Sequence, residues 1–238
     1  METALPASGP LARAFAWAGG AVFALSLLYT ALAYATVFGR PAPTGNVWAP
    51  VAINVLLFSA FALHHSVFAR DRIRRAVAAL VSSELERSVY VWIASLMLIA
   101  VCALWQPVPG VAWSASGAAR WTLYGLQVAG SVIALWSAAA IDALELAGIR
   151  QRAASSQPTE FKTTGPYGWV RHPIYVGWFL MVFATPTMTA TRLVFAIASS
   201  AYLLIAIPFE ERSLRKSTEG AYERYARTVR WKLLPGIY

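Results

Sequence analysis

Apolar residues in this chain come in long runs. Stretches at about 14–38, 47–68, 88–105 and 121–148 hold few charges, and two shorter ones follow at about 172–187 and 191–208. Roughly 20 apolar residues span the hydrocarbon of a bilayer. The pattern therefore predicts up to six crossings, the last two short enough to make one helical hairpin with Pro186 near its tip. Two polar stretches stand apart. One is a loop at about 150–171 containing Pro158, and the other a tail from Glu210 that reads as a charged helix ending near Trp231, with Pro235 and Gly236 beyond it. No segment predicts a sheet. The expected fold is all-α: one polytopic transmembrane domain over 1–238, with five to six spans and a cytosolic C-terminal helix.

Composition sharpens this picture. Of 238 residues, 58% are hydrophobic and 13% charged, against about 25% charged in a soluble domain. The mean hydropathy is +0.53. Most apolar surface is expected to face lipid or other helices. The lone Cys102 sits in an apolar run and excludes an internal disulfide; it is expected to pack as a small hydrophobe. The segment Met1–Pro10 lacks the basic start and cleavage site of a signal peptide, so the first apolar run is expected to stay as an anchor. Trp48, Tyr90, Trp105, Trp113 and Trp121 mark membrane interfaces.

The net charge of +9 raises nucleic acid as a partner, but the arginines cluster at the ends of apolar runs. That placement fits anionic headgroups and control of topology instead. With the N-terminus in the cytosol, six crossings leave only Arg40, Arg120 and Arg192 of the 20 lysines and arginines on the outer side. The expectation is a multi-pass protein of a bacterial inner membrane, in contact with lipid, with both termini cytosolic.

Ionisable residues inside membrane segments are costly and mark function. They collect here near the predicted inner ends: His64 and His65, Asp142 and Glu145, Arg171 and His172, Glu210 and Glu211. Each has a structural alternative. The histidines could be an interfacial pair, Asp142 and Glu145 could pair with arginines such as Arg150, and Asn54 reads as an interhelical hydrogen bond. Three histidines, two of them adjacent, give no metal-ligand spacing. No Walker loop or dinucleotide glycine motif occurs. Any nucleotide-like cofactor is therefore expected among helices.

The densest signal is 163–179. Gly165-Pro166 and Gly168 impose a turn, and Pro173 is placed to start a helix. Free N–H groups at that helix start suit an anion, Arg171 offers a fork for a carboxylate, and Gly177 admits a close neighbour. The elements Gly165-Pro166-Tyr167, Arg171-His172-Pro173, Tyr175 and Gly177 are followed by Glu210-Glu211, Leu214, Gly220, Tyr222, Tyr225, Val229 and Pro235. In this order they resemble the isoprenylcysteine carboxyl methyltransferase superfamily of membrane methyltransferases. Phe61 to Arg70, with His64-His65 inside, Glu86 to Tyr90, Trp105-Gln106-Pro107 and Ala184 to Ala190 extend the likeness toward its methanethiol S-methyltransferases.

The resemblance implies S-adenosylmethionine as methyl donor, bound in the half from about 150 to 238. Tyr167, Val170, Arg171, His172, Pro173, Tyr175, Gly177, Glu210 and Glu211 are the residues it implies for that site. Glutamate suits the donor's ammonium, arginine or helix N–H groups its carboxylate, and aromatic rings its adenine. A thiol acceptor reacts as the thiolate, for which His64, His65 or Glu145 would be the base. The expected acceptor is a small thiol, methanethiol becoming dimethyl sulfide. A carboxyl or amine methyltransferase for prenylcysteine or phospholipid is the second reading. A non-catalytic membrane protein linked to nitrogen-oxide respiration is the third.

Overall fold

A computed structural model describes residues 9–68, 71–81, 85–141, 143–149 and 161–238. The chain divides into two compact units, Met1–Gly110 with Asp142–Ala153, and Val111–Ile141 with Ala154–Tyr238. Among the described residues, five helices are long and apolar enough to cross a membrane: Pro10–Val37, Trp48–Phe68, Glu86–Leu104, Gly117–Ala140 and Ala190–Ser217.

The first unit holds α1 (Pro10–Leu32), whose last turn widens into a π-helix at Ala33–Val37, then α2 (Trp48–Phe68), α3 (Asp71–Val81), α4 (Glu86–Leu104) and the short α6 (Ala143–Leu146). Its burial is inverted relative to a soluble protein. The buried residues of α1 are Ala16, Gly19, Gly20, Ser26 and Thr30, while Leu25, Leu28 and Leu32 are exposed. Small residues let helices approach, and leucines face lipid. A Cβ on Gly19 would lie 2.8 Å from the Trp92 ring, and the Trp92 indole donates to the Phe15 carbonyl at 3.1 Å. These contacts seat α4 on α1. Cys102 is buried with its sulfur 3.4 Å from the Thr30 hydroxyl. Asn54, fully buried, donates to the Gln106 carbonyl at 2.8 Å and accepts its N–H at 2.7 Å. The expected interhelical bond is thus a bond from α2 to the backbone just past α4. A parallel bridge of Ala42 with Pro109 brings the ends of α1 and α4 to one side. The arginine-rich run that the sequence assigns to headgroups starts α3, with Arg70 outside the described residues.

The second unit holds β1 (Val111–Ser114), α5 (Gly117–Ala140), α7 (Pro166–Trp169), α8 (Pro173–Phe183), β2 (Thr187–Thr189), α9 (Ala190–Ser217) and α10 (Ala221–Thr228). Three expectations are corrected. The fourth apolar run does not remain helical to 148: α5 stops at Ala140, Ile141 is extended, and Lys162 Nζ binds the Ala140 carbonyl at 2.7 Å. The tail is not a separate helix from Glu210. Instead α9 runs through Pro208 to Ser217, and Gly220, at φ +83°, breaks the chain before α10. A small sheet also exists, with β1 and β2 antiparallel and Val111 opposite Thr189.

That sheet decides the path of the chain. α8 has 11 residues, about 16 Å of helix, too little for a hydrocarbon core of about 30 Å. Residues 184–189, which end in β2, complete the pass, and pairing with β1 puts them at the end where α5 begins. The backbone polar groups that a helix would satisfy internally find partners here. Ala115 N–H binds the Pro186 carbonyl at 2.8 Å, and the Trp113 indole binds the Thr185 carbonyl at 2.9 Å. The buried Arg192 guanidinium binds the Thr187 carbonyl at 2.6 Å. The segment after Pro173 is therefore a traverse, half helix and half strand, and α5, α8–β2 and α9 alternate in direction.

Candidate functional site

The far end of the second unit gathers the residues of the Gly-Pro-Tyr and Arg-His-Pro elements. Gly165 has φ +62°, and a Cβ on Gly168 would run into the Thr163 carbonyl. The chain thus folds into the single turn of α7, starting at Pro166. Val170 follows, buried and extended. Next, the N–H groups of Arg171 and His172 bind the carbonyls of Trp231 and Lys232, each at 2.9 Å. The C-terminal stretch is stitched to the Arg-His-Pro element by backbone before any side chain acts. Pro173 is buried at the start of α8, and the Tyr175 and Val176 N–H groups turn back to the His172 carbonyl at 3.1 and 3.3 Å.

Side chains from 35 to 40 residues away complete the cluster. Arg171 Nε donates to Glu211 Oε1 at 2.7 Å, and its NH1 donates to the carbonyls of Val229 at 3.0 Å and Arg230 at 2.7 Å. His172 Nε2 lies 3.3 Å from Glu211 Oε1 and its Nδ1 lies 3.7 Å from Glu210 Oε2. The Tyr175 hydroxyl donates to Glu210 Oε2 at 2.8 Å, and its ring stacks on His172 at 5.3 Å. Arg215, one helical turn past Glu211, donates to Glu211 Oε2 at 3.0 Å and lies over the Tyr222 ring. The two glutamates thus differ. Side-chain exposure is 3% at Glu211 and 46% at Glu210.

Tyr167, Tyr222 and Tyr225 wall the cluster. Burial raises the pKa of all three. The Glu210 charge adds to this at Tyr167 and the Glu211 charge at Tyr222. Tyr225 is pushed up to about 12, chiefly by burial, with Arg171 opposing. All three stay protonated, and the Tyr225 hydroxyl donates to the Tyr167 carbonyl at 2.8 Å. Trp169 is exposed, with its ring edge-on to Trp136 at 5.5 Å. Gly177 faces α5: a Cβ there would lie 2.6 Å from the Gly130 carbonyl.

In the first unit, His65 Nδ1 is 2.6 Å from the Tyr90 hydroxyl, and the ring of His64 lies between Phe68 and Tyr90. Asp142 and the side chain of Glu145 lie outside the described residues. Sequence reasoning omits Arg215 from the site, although its i+4 spacing from Glu211 is visible. It also gives no role to Tyr222 and Tyr225, which it reads only as motif positions.

A sequence model described as the isoprenylcysteine carboxyl methyltransferase (ICMT) family matches residues 147–216. The chain is 39% identical to methanethiol S-methyltransferase 2 of Bradyrhizobium diazoefficiens over 88% of its own length and 84% of the relative's. It is 39% identical to methanethiol S-methyltransferase of Crocosphaera subtropica, covering 74% and 72% of the two chains. The Mycobacterium tuberculosis protein of that name is 37% identical, covering 79% and 78%. No solved structure matches.

Proposed function

We propose that this chain, which belongs to the isoprenylcysteine carboxyl methyltransferase family of integral membrane methyltransferases, transfers a methyl group from S-adenosylmethionine to methanethiol, giving dimethyl sulfide. The observation that carries the reading is likeness to methanethiol S-methyltransferases along 88% of the chain, joined to a cluster whose open carboxylate suits the donor.

Glu210 is the group assigned to the donor's ammonium. It is half exposed, anchored by the Tyr175 hydroxyl and faced by His172, so one side of the carboxylate is free to accept a charge-assisted hydrogen bond. Tyr167 and Trp169 offer aromatic faces for the adenine. When bound, the donor supplies an electrophilic methyl group on a sulfonium. The protein's own part is positioning. Glu211, saturated by Arg171, His172 and Arg215, ties α9 to the start of α8 and fixes where Glu210 stands. Val170, Pro173 and Gly177 hold the backbone of that junction. We place the protein in an inner membrane with both termini and this cluster on the cytosolic side, where a water-soluble donor meets an acceptor that partitions into lipid.

The test is to incubate purified protein with labelled donor and, separately, methanethiol and a prenylcysteine, and to identify the products. Labelled dimethyl sulfide is the expected outcome. Methylation of prenylcysteine alone would overturn the assignment.

A further inference from the structure

We propose that the loop 232–238 docks on the bilayer surface beside the Glu210 cluster, its apolar side chains set among acidic phospholipid headgroups and the arginines before it on their phosphates. Neither methyl donor nor acceptor takes part in this contact, so it stands apart from the proposed reaction. Two adjacent leucines mark the loop by their opposite fates. Leu233 is 4% exposed, while Leu234 is 52% exposed and Ile237, past the turn, 79%. Trp231 and Tyr238 are exposed as well. Exposed leucines on the spans have hydrocarbon against them. These residues lie in no span, and a loop in water is usually built of polar turn formers.

The tip is preformed. The N–H groups of Lys232, Leu233 and Leu234 bind the Tyr238 carbonyl at 2.9, 2.8 and 3.0 Å, and the Ile237 N–H returns to the Leu234 carbonyl at 3.1 Å. Gly236 turns the chain at φ +85°. Little ordering cost is left for docking. Its height is fixed too. The Trp231 and Lys232 carbonyls are held by the Arg171 and His172 N–H groups, directly before α8 begins at Pro173. The loop therefore springs from the level at which the chain enters the bilayer. Charge decides the lipid. Residues 221–238 hold Arg224, Arg227, Arg230 and Lys232 against Glu223 alone. In α10 and just past it, Tyr222, Tyr225 and Val229 are buried, whereas Arg224, Arg227 and Arg230 recur every third residue and are exposed. An apolar tip with tryptophan at its base and arginines behind it matches acidic headgroups over hydrocarbon.

The experiment uses the full chain with Cys102→Ala and a nitroxide on Ile237→Cys, reconstituted in phosphatidylcholine vesicles with and without phosphatidylglycerol. With the acidic lipid, the label should collide with oxygen, which concentrates in lipid, more than with a water-soluble nickel chelate. Without it, collisions with the chelate should rise. In the acidic vesicles, Arg227→Gln and Arg230→Gln should each lower the ratio of docked to free spectral components by about fivefold, the share of one basic residue near such a surface. Leu234→Cys carries the label if Ile237→Cys fails to reconstitute. Chelate access that is the same in both vesicles overturns the proposal. So does a label shielded from both reagents, which would mean that protein covers the loop. Docking that ignores both arginine substitutions overturns the assignment to acidic lipid.

Discussion

Glu210 and Glu211 are neighbours in sequence, and a helix turns them about 100° apart. One meets Arg171, His172 and Arg215 out of water, while the other stands half exposed beside Tyr175. Their variants should therefore fail in different ways. Glu211→Gln leaves the Arg171 guanidinium, whose side chain is 8% exposed, without its charge partner. Breaking a buried pair from one side costs about 3–5 kcal/mol, so a large drop in melting temperature is expected. Glu210→Gln should melt as the unsubstituted protein does and lose at least about tenfold in donor affinity, the loss of one charge-assisted hydrogen bond. A melt combined with isothermal titration separates the two, and interchanged outcomes would reverse the roles. The pair, Arg171 and His172 were all legible in the sequence. Their division of labour was not, because a periodic pattern of isolated residues does not say which face of α9 packs against the start of α8. Arg215 was missed for the same reason: its spacing is visible, but a surface arginine and an inward one read alike.

At the scale of elements, the crossing of α5 and α8 depends on two glycines back to back. A Cβ on Gly130 would lie 2.7 Å from the Gly177 carbonyl, and one on Gly177 would lie 2.6 Å from the Gly130 carbonyl. Neither neighbour is a side chain that can swing away. Gly177→Leu forces the backbones apart, and overpacking of this kind costs about 1–3 kcal/mol, to be read as lower thermal stability in detergent. Gly125 has open space around it, so Gly125→Leu on the same helix should be tolerated. The long apolar helices followed directly from run length, since about 20 apolar residues in a row have one economical conformation in lipid. Their ends did not follow. Ala-Ile-Asp-Ala-Leu-Glu-Leu after Ala139 carries no glycine or proline, and the partner that the Ala140 carbonyl finds at the stop is a lysine 22 residues later. The strands were equally hidden. A three-residue β2 is too short to show an alternation, and its partner β1 lies more than 70 residues away.

For the molecule as a whole, the number of passes fixes the side on which the tail lies. Within the second unit, the end bearing β1 and β2 carries Arg120 and Arg192. The opposite end carries Lys162, Arg171, Arg212, Arg215, Lys216 and the basic residues of the tail. Cytosolic ends hold the excess of lysine and arginine, and this asymmetry is what supports the proposed cytosolic placement of the Glu210 cluster. The half-helical traverse is what makes this consistent. Had 172–187 entered the membrane and returned as a hairpin, α9 would begin and end on sides that leave the basic tail outside. Single cysteines introduced into a Cys102→Ala background distinguish the two. Lys216→Cys at the end of α9 should be modified by a membrane-impermeant maleimide only after the cells are opened. Ser116→Cys, at the start of α5 beside the strands, should be modified in intact cells. Labelling of Lys216→Cys from outside would mean five passes, and would put the donor site on the side of the membrane where the cell keeps no S-adenosylmethionine.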